Sequence, residues 1–389
     1  MAGGFELFTA PRIVFGAGAL QRAGELLPGG PATRVLLVVG ERSATDGGLL
    51  ERLEQLLPVA AVERCAREPW IKDVDRAVQR GREAGCDGVV AAGGGAVLDC
   101  GKAASGMLTN PGSLQDYLEG VGRGLSVDQM PAPMMAIPTT AGTGSEVTKN
   151  AVISGPGYKK SLRSPHLIPR VALVDPELTH SMSPELTAAC GMYALTQLVE
   201  AYLSRGANPV TDALALQGIA AAGAHLARAY AAPDVAAREQ MALASLLGGI
   251  CLANAGLGAV HGFASPLGAL QEVAIPHGVA CAALLPQVVQ ANLEAARGGP
   301  QEARLVRRTA RIGRALTGEP LLADGEAMEC CLDRLRALQR ELQIPTLGRL
   351  GVTPTMIPAI VQGARGSSMR FNPVDLDDAR LERTLALAL

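Results

Sequence analysis

The apolar residues of this chain fall into two textures. Up to about residue 178, short apolar runs alternate with helical patterns. The run "TRVLLVVG" (33–40), ending on Gly40, predicts a buried strand, and "GGLLERLEQLL" (47–57) has the spacing of an amphipathic helix. A second strand is predicted at "DGVVAAGGG" (87–95), running directly into the helix "AVLDCGKAASGML". "MMAIPTT" (134–140) predicts a third strand, and "RVALVDPEL" (170–178) a fourth, closed by its Asp-Pro turn. Strands separated by helices imply an α/β unit with a mainly parallel sheet covered on both faces. Ligands of such sheets bind beyond the carboxyl ends of the strands.

After residue 179 the β-branched runs give way to segments rich in Ala and Leu. Helices are predicted near 184–204, 209–231, 234–254, 278–295, 301–316, 324–342, 354–362 and 375–388. The reading is therefore of an α/β domain over 1–178 and an all-α domain over 179–389. The length of 389 residues suits two cores on the usual scale of about 100–200 residues per domain. With no fixed-period repeat and no low-complexity linker, the halves are expected to pack directly around a cleft, where pockets prefer to form.

Composition sharpens this picture. Hydrophobic residues make up 48% and aromatics only 3%, so the interior must be built from Ala, Leu, Val and Ile. A net charge of −2, with both signs spread along the chain, gives no electrostatic case for nucleic acid or a membrane surface as partner. The basic stretch "EARLVRRTARIGRAL" (302–316) lacks interleaved aromatics and reads as a solvated helix face. The start shows no basic region followed by an apolar core, and no long uninterrupted apolar run occurs, so a cytoplasmic protein is expected. The eight cysteines have no CxxC spacing and read as reduced, buried small residues.

Three stretches carry chemistry. In "AAGGGAVLDCGKAAS", Gly93, Gly94 and Gly95 stand between a strand and a helix, where bare backbone approaches a phosphate closely and the helix N-terminus favours the anion. The spacing departs from GxGxxG. "IPTTAGTGSEVT" (137–148) places Thr139, Thr140 and Thr143 at another strand end, suited to a phosphate or ribose. Together these two predict a nucleotide site. The third stretch, "TAACGMYALTQLVEAYLS" (187–204), holds Tyr193 and Gln197 four apart, on one helical face among apolar neighbours.

These motifs, with "FGAGAL" (15–20), "RSPHLIPRVALVDPELT" (163–179), "GMYALTQLVEAY" (191–202), "NAGLGAVHGFASPLGA" (254–269), "IPHGVACAALLP" (275–286) and "RGSSMRFNPV" (365–374), resemble the iron-containing, group III alcohol dehydrogenases. That family is related to glycerol dehydrogenase and dehydroquinate synthase, and the resemblance covers nearly the whole chain. It implies a Rossmann-like N-terminal domain, a helical C-terminal domain, NAD(P) bound between them, and hydride transfer between a small alcohol and its aldehyde or ketone. It further implies that Gly40, Gly94, Gly95, Ala96, Thr139, Thr140 and Thr143 contact the cofactor, with Lys160 close by. Relatives are commonly homodimers or larger.

The family also holds a divalent metal, usually iron, with an Asp and a His at i and i+4 plus two later histidines. Here those first two positions are Tyr193 and Gln197. His261 and His277 match the later pair but stand 16 apart, as if two residues were inserted, and Ser265 occupies the place of another frequent active-site His. A Gln oxygen and a phenol that ionises near pH ~10 are poor ligands for Fe(II) or Zn(II). A degraded or absent metal site at His261 and His277 is therefore expected. Tyr193, assisted by Lys160, or a charged His277 would then polarise the substrate oxygen. Tyr193, Gln197, His261, Phe263 and Ser265 are read as facing the substrate. After Gly40 come Glu41, Arg42 and Ser43, without the Asp that favours NAD at this strand end; the reading favours NADP over NAD, with Glu41 opposing. Two other readings stand beside this one: a non-redox, NAD-using cyclase on the same architecture, and a catalytically silent nucleotide-binding paralogue.

Overall fold

The computed structural model describes residues 4–41, 45, 48–270, 273, 275–366 and 368–389. It divides into two compact units, Phe8–Met182 and Ser183–Leu389, the second including the short stretch before Phe8. The change of unit comes slightly later than the texture change at 178/179.

The first unit is built on a six-stranded sheet of β1 (Arg12–Phe15), β2 (Val35–Gly40), β3 (Val59–Cys65), β4 (Gly88–Gly93), β5 (Met134–Pro138) and β8 (Val171–Val174), in the order β1-β8-β5-β4-β2-β3. Every pair is parallel. Helices α1 (Leu49–Leu56), α2 (Ile71–Glu83) and α3 (Gly95–Thr109) connect strands, and β6 (Asn150–Gly155) with β7 (Tyr158–Arg163) forms a separate antiparallel hairpin. The four strands legible in the sequence are the four central ones, each buried along its length. Burial on both faces is what writes a continuous apolar run. The edge strands β1 and β3 are only partly buried and carry no such run.

Side-chain alternation along β2 fills both faces of the sheet. Leu36 and Val38 join one core with Leu98, Ala103 and Met107 of α3, while Val35, Leu37 and Val39 join another with Leu20, Leu49 and Leu53. Register pairs Gly93 of β4 with Pro138 of β5, so the glycine turn and the threonine loop leave the sheet side by side.

The second unit is helical: α4 (Pro184–Leu203), α5 (Pro209–Ala231), α6 (Val235–Ala255), α7 (Ala259–Leu267), α8 (His277–Ala296), α9 (Glu302–Thr317), α10 (Asp324–Glu341), α11 (Ile357–Gly363) and α12 (Asp378–Ala386). Local sequence sets their starts. Ser183 Oγ accepts from the Leu186 N–H with Pro184 in the first turn, Asn208 accepts from Val210 and Thr211, and Asp234 accepts from Ala237. Helices α6 and α8 are long and apolar enough to cross a membrane, yet their most apolar windows are 67% and 61% buried inside the protein, as core helices are. Close helix packing follows from the scarcity of large side chains. A Cβ on Gly191 of α4 would come within 2.2 Å of Leu226 on α5, and one on Gly218 of α5 within 2.7 Å of Leu198 on α4. The short α7, flanked by glycines and containing Pro266, lies outside the helices read from the sequence.

Candidate active site

At the carboxyl ends of β4 and β5 the two predicted phosphate loops meet. Gly94 caps α3 through extended backbone, with no side chain of its own to bond back, and no acidic residue stands in the first turn. Such a helix start presents free N–H groups and the positive end of the helix dipole to an anion. A Cβ on Gly94 would touch the Thr140 side chain at 3.5 Å, and one on Gly95 would come within 2.6 Å of Thr143 Cγ2 and 2.9 Å of its Oγ1. The Thr139 N–H donates to the Gly93 carbonyl at 3.0 Å. Gly94, Gly95, Ala96, Thr140 and Thr143 are all half-buried, while Thr139 is buried.

A buried ionic network fixes this arrangement from below. Lys102 Nζ, with no exposed surface, donates to the Ser145 carbonyl at 3.0 Å, to Thr148 Oγ1 at 2.9 Å and to the Asn150 carbonyl, and pairs with Asp99 at 3.1 Å. Asp99 also accepts from Ser145 Oγ at 2.6 Å and from the Val152 N–H at 2.9 Å. Burial lowers the Lys102 pKa, with Asp99 opposing the shift. Beside it, burial pushes the Glu146 carboxyl up to about 7, and its Oε2 has no hydrogen-bond partner. The sequence places Asp99 and Lys102 on the helix that follows the glycine turn, i and i+3, but gives no sign of their partners on the segment after β5.

Of the other predicted cofactor residues, Gly40 ends β2 and is buried, Glu41 is exposed, and Lys160 is exposed on β7. Arg42 and Ser43 lie outside the described residues.

In the second unit three predicted side chains converge. Tyr193 of α4, His261 of α7 and His277, the first residue of α8, form a triangle of rings with centroids 5.5, 5.2 and 5.5 Å apart. Gln197 has no exposed surface, and a Cβ on Gly248 of α6 would stand 3.0 Å from its Oε1. Phe263, read as narrowing a substrate pocket, also has no exposed surface, and Ser265 is exposed.

Two residues of this centre were missed in the sequence. Glu200, seven after Tyr193 and thus on the same face of α4, places Oε2 2.5 Å from His261 Nδ1, while its Oε1 accepts from the Val260 N–H at 2.7 Å. A carboxylate at a helix start is stabilised by the N–H groups and dipole there. Glu200 Oε2 accepts a hydrogen bond from Nδ1–H in the tautomer that leaves the other ring nitrogen of His261 to act as an acceptor or ligand. That atom, Nε2, belongs to a side chain only 8% exposed and has no hydrogen-bond partner. The second missed residue is Cys281, fully buried and four after His277 on α8. One ring nitrogen from each histidine and Cys281 Sγ all lie within 4.8 Å of one another. The i, i+4 pair of His277 and Cys281 was legible, but buried cysteines are common and the spacing alone did not stand out.

Residues 10–176 match the family of iron-containing alcohol dehydrogenases, and residues 187–389 the Fe-containing alcohol dehydrogenase family, C-terminal part. The chain belongs to the iron-containing alcohol dehydrogenases. It is thus an oxidoreductase of alcohols. The probable alcohol dehydrogenase EutG of Escherichia coli (strain K12) is 45% identical over 253 residues, which are 64% of this chain and 60% of that protein. A crystal structure of 1,3-propanediol oxidoreductase superposes with a TM-score of 0.89 at 33% identity, covering 100% of both chains. Sulfoacetaldehyde reductase from Bifidobacterium kashiwanohense, solved in complex with NAD+, gives 0.85 at 28% identity over 99% of each.

The iron that names the family can be tested against these side chains. The family's Asp and first His are Tyr193 and Gln197 here, and among the described residues the donors that cluster are one ring nitrogen each from His261 and His277 and the Cys281 sulfur. Iron(II) bound through carboxylate and imidazole does not fit this donor set, which is two nitrogens and one soft sulfur.

Proposed function

We propose that this chain interconverts a small alcohol and its aldehyde or ketone with a nicotinamide dinucleotide as hydride carrier, and that Tyr193 polarises the substrate oxygen. The observation that carries the reading is the packing of Tyr193 against His261 and His277, with centroids 5.2 to 5.5 Å apart, where the family's substrate chemistry is located. In the reducing direction the carbonyl carbon takes a hydride from the reduced nicotinamide and the carbonyl oxygen takes a proton. The Tyr193 hydroxyl is a neutral donor for that oxygen, and the two imidazole rings stand beside it. The glycine and threonine loops of the first unit support dinucleotide binding through backbone N–H groups and hydroxyls. Gly40, which ends β2 without a carboxylate, supports NADP over NAD. Small polar substrates are favoured because the neighbours named above act on a propanediol and on sulfoacetaldehyde, and because few aromatics are available to wall an apolar pocket.

The test is oxidation of NADPH and NADH against a panel of small aldehydes, with wild type and Tyr193→Phe. The expected outcome is turnover with a higher kcat/KM for NADPH, and a fall in kcat of about a hundredfold in Tyr193→Phe, the scale of one lost proton or hydrogen-bond donor. Turnover unchanged by that substitution ends the role of Tyr193, and dinucleotide binding without turnover on any aldehyde ends the enzymatic reading.

A further inference from the structure

The geometry points to a rebuilt metal centre: we propose that His261 Nε2, a ring nitrogen of His277 and the Cys281 thiolate bind a zinc ion in place of the family's iron set. This deepens the function proposed above, because it rests on the substrate oxygen being activated at the same cluster.

Three observations support the site independently of the family. First, one ring nitrogen of each histidine and the Cys281 sulfur already lie within 4.8 Å of one another. Ligands at about 2.0 Å for nitrogen and 2.3 Å for sulfur around a tetrahedral zinc stand roughly 3.3–3.6 Å apart, so closing onto an ion needs shifts of about 1 Å. Second, His261 Nε2 is a buried polar atom without a hydrogen-bond partner. A buried nitrogen left without a partner is costly, and a bound cation relieves that cost. Third, Glu200 holds the opposite nitrogen at 2.5 Å. That carboxylate–histidine arrangement orients a metal-binding imidazole and raises its basicity.

Sequence explains why the ligand set has moved. The loss of the Asp and His positions to Tyr193 and Gln197 removes both donors of α4, and Cys281 restores one anionic donor from α8, one helical turn beyond His277. A thiolate in place of a carboxylate softens the site and shifts preference from iron towards zinc. Three protein ligands are also the number that catalytic zinc sites use, the fourth place being kept for water or substrate. Placed beside this cluster, Tyr193 would stand next to the substrate oxygen.

The experiment is cobalt(II) and zinc titration of the chelator-treated full chain, followed by absorption. Cobalt should produce a thiolate-to-cobalt charge-transfer band in the near ultraviolet, with visible ligand-field bands of tetrahedral intensity, at one equivalent. In Cys281→Ser the charge-transfer band should vanish and zinc affinity should fall by more than about a hundredfold; Glu200→Gln should keep the band and weaken zinc by roughly 10- to 100-fold. Circular dichroism checks the fold of each variant, and His277→Ala, altering a half-buried helix start, serves if Cys281→Ser does not fold, with the expectation of lost stoichiometric binding. Cobalt bound without the charge-transfer band, or zinc affinity unchanged in Cys281→Ser, overturns the site. An active wild type that binds no zinc also overturns it while leaving the oxidoreductase reading intact; a zinc-loaded protein inactive on every aldehyde leaves the site standing and ends that reading.

Discussion

Single residues decide more here than their neighbours suggest. Gly95 has an ordinary helical backbone, so nothing in its conformation demands glycine; space does, because Thr143 occupies the place of its missing Cβ at 2.6 Å. Gly95→Ala should push the threonine loop from the helix start, raising KM for the dinucleotide by about tenfold or more with a smaller change in kcat, as steady-state kinetics would show. Chemistry at the second centre turns on side chains of equal subtlety. His261 is legible as a candidate from its motif, but the tautomer that exposes Nε2 is set by Glu200, a residue 61 positions earlier that only the fold brings within 2.5 Å.

At the scale of elements, the first unit is held in register by one buried cation. Lys102 ties α3 to the segment that follows β5 through the Ser145, Thr148 and Asn150 contacts and the Asp99 pair. Removing one partner of a buried, hydrogen-bonded ion pair typically costs about 3–5 kcal/mol. Lys102→Met should therefore lower the unfolding midpoint of the first unit sharply and weaken dinucleotide binding, while the cobalt spectrum of the second unit is retained; urea unfolding and the metal titration measure the two effects. The helices of the second unit show the opposite economy. Their starts are written locally in Ser183, Asn208 and Asp234, whereas their close approach depends on Gly191 and Gly218, whose role appears only against the partner helix.

For the molecule as a whole, stability should carry a recognisable dependence on pH. Glu146 is pushed up to about 7 from an ordinary 4.5 because it is buried. The folded state therefore holds this proton where the unfolded chain releases it. The contribution is fully present below about pH 4.5 and is lost as pH rises through about 7, a change of roughly 3 kcal/mol. In denaturant unfolding at pH 5 and about pH 8, Glu146→Gln should lack this part of the loss that wild type shows. A wild-type and variant difference that does not vary with pH would remove Glu146 as its source.

What the chain alone determined is whatever depends on local pattern. Central strands write apolar runs because both their faces are buried, helix starts are written by capping residues, and the glycine and threonine loops declare themselves by composition. The family and its missing Asp and His are equally legible, since they are matters of residue type at a position. Edge strands, the hairpin and α7 were not, because partial burial and short length leave weak periodicity. Only the tertiary structure decided that Thr143 fills the space beside Gly95, that Glu200 grips His261, and that Cys281 joins two histidines in one cluster. Each of these is a distance between residues far apart in the chain or buried on different helices, and packing, not local preference, sets such distances.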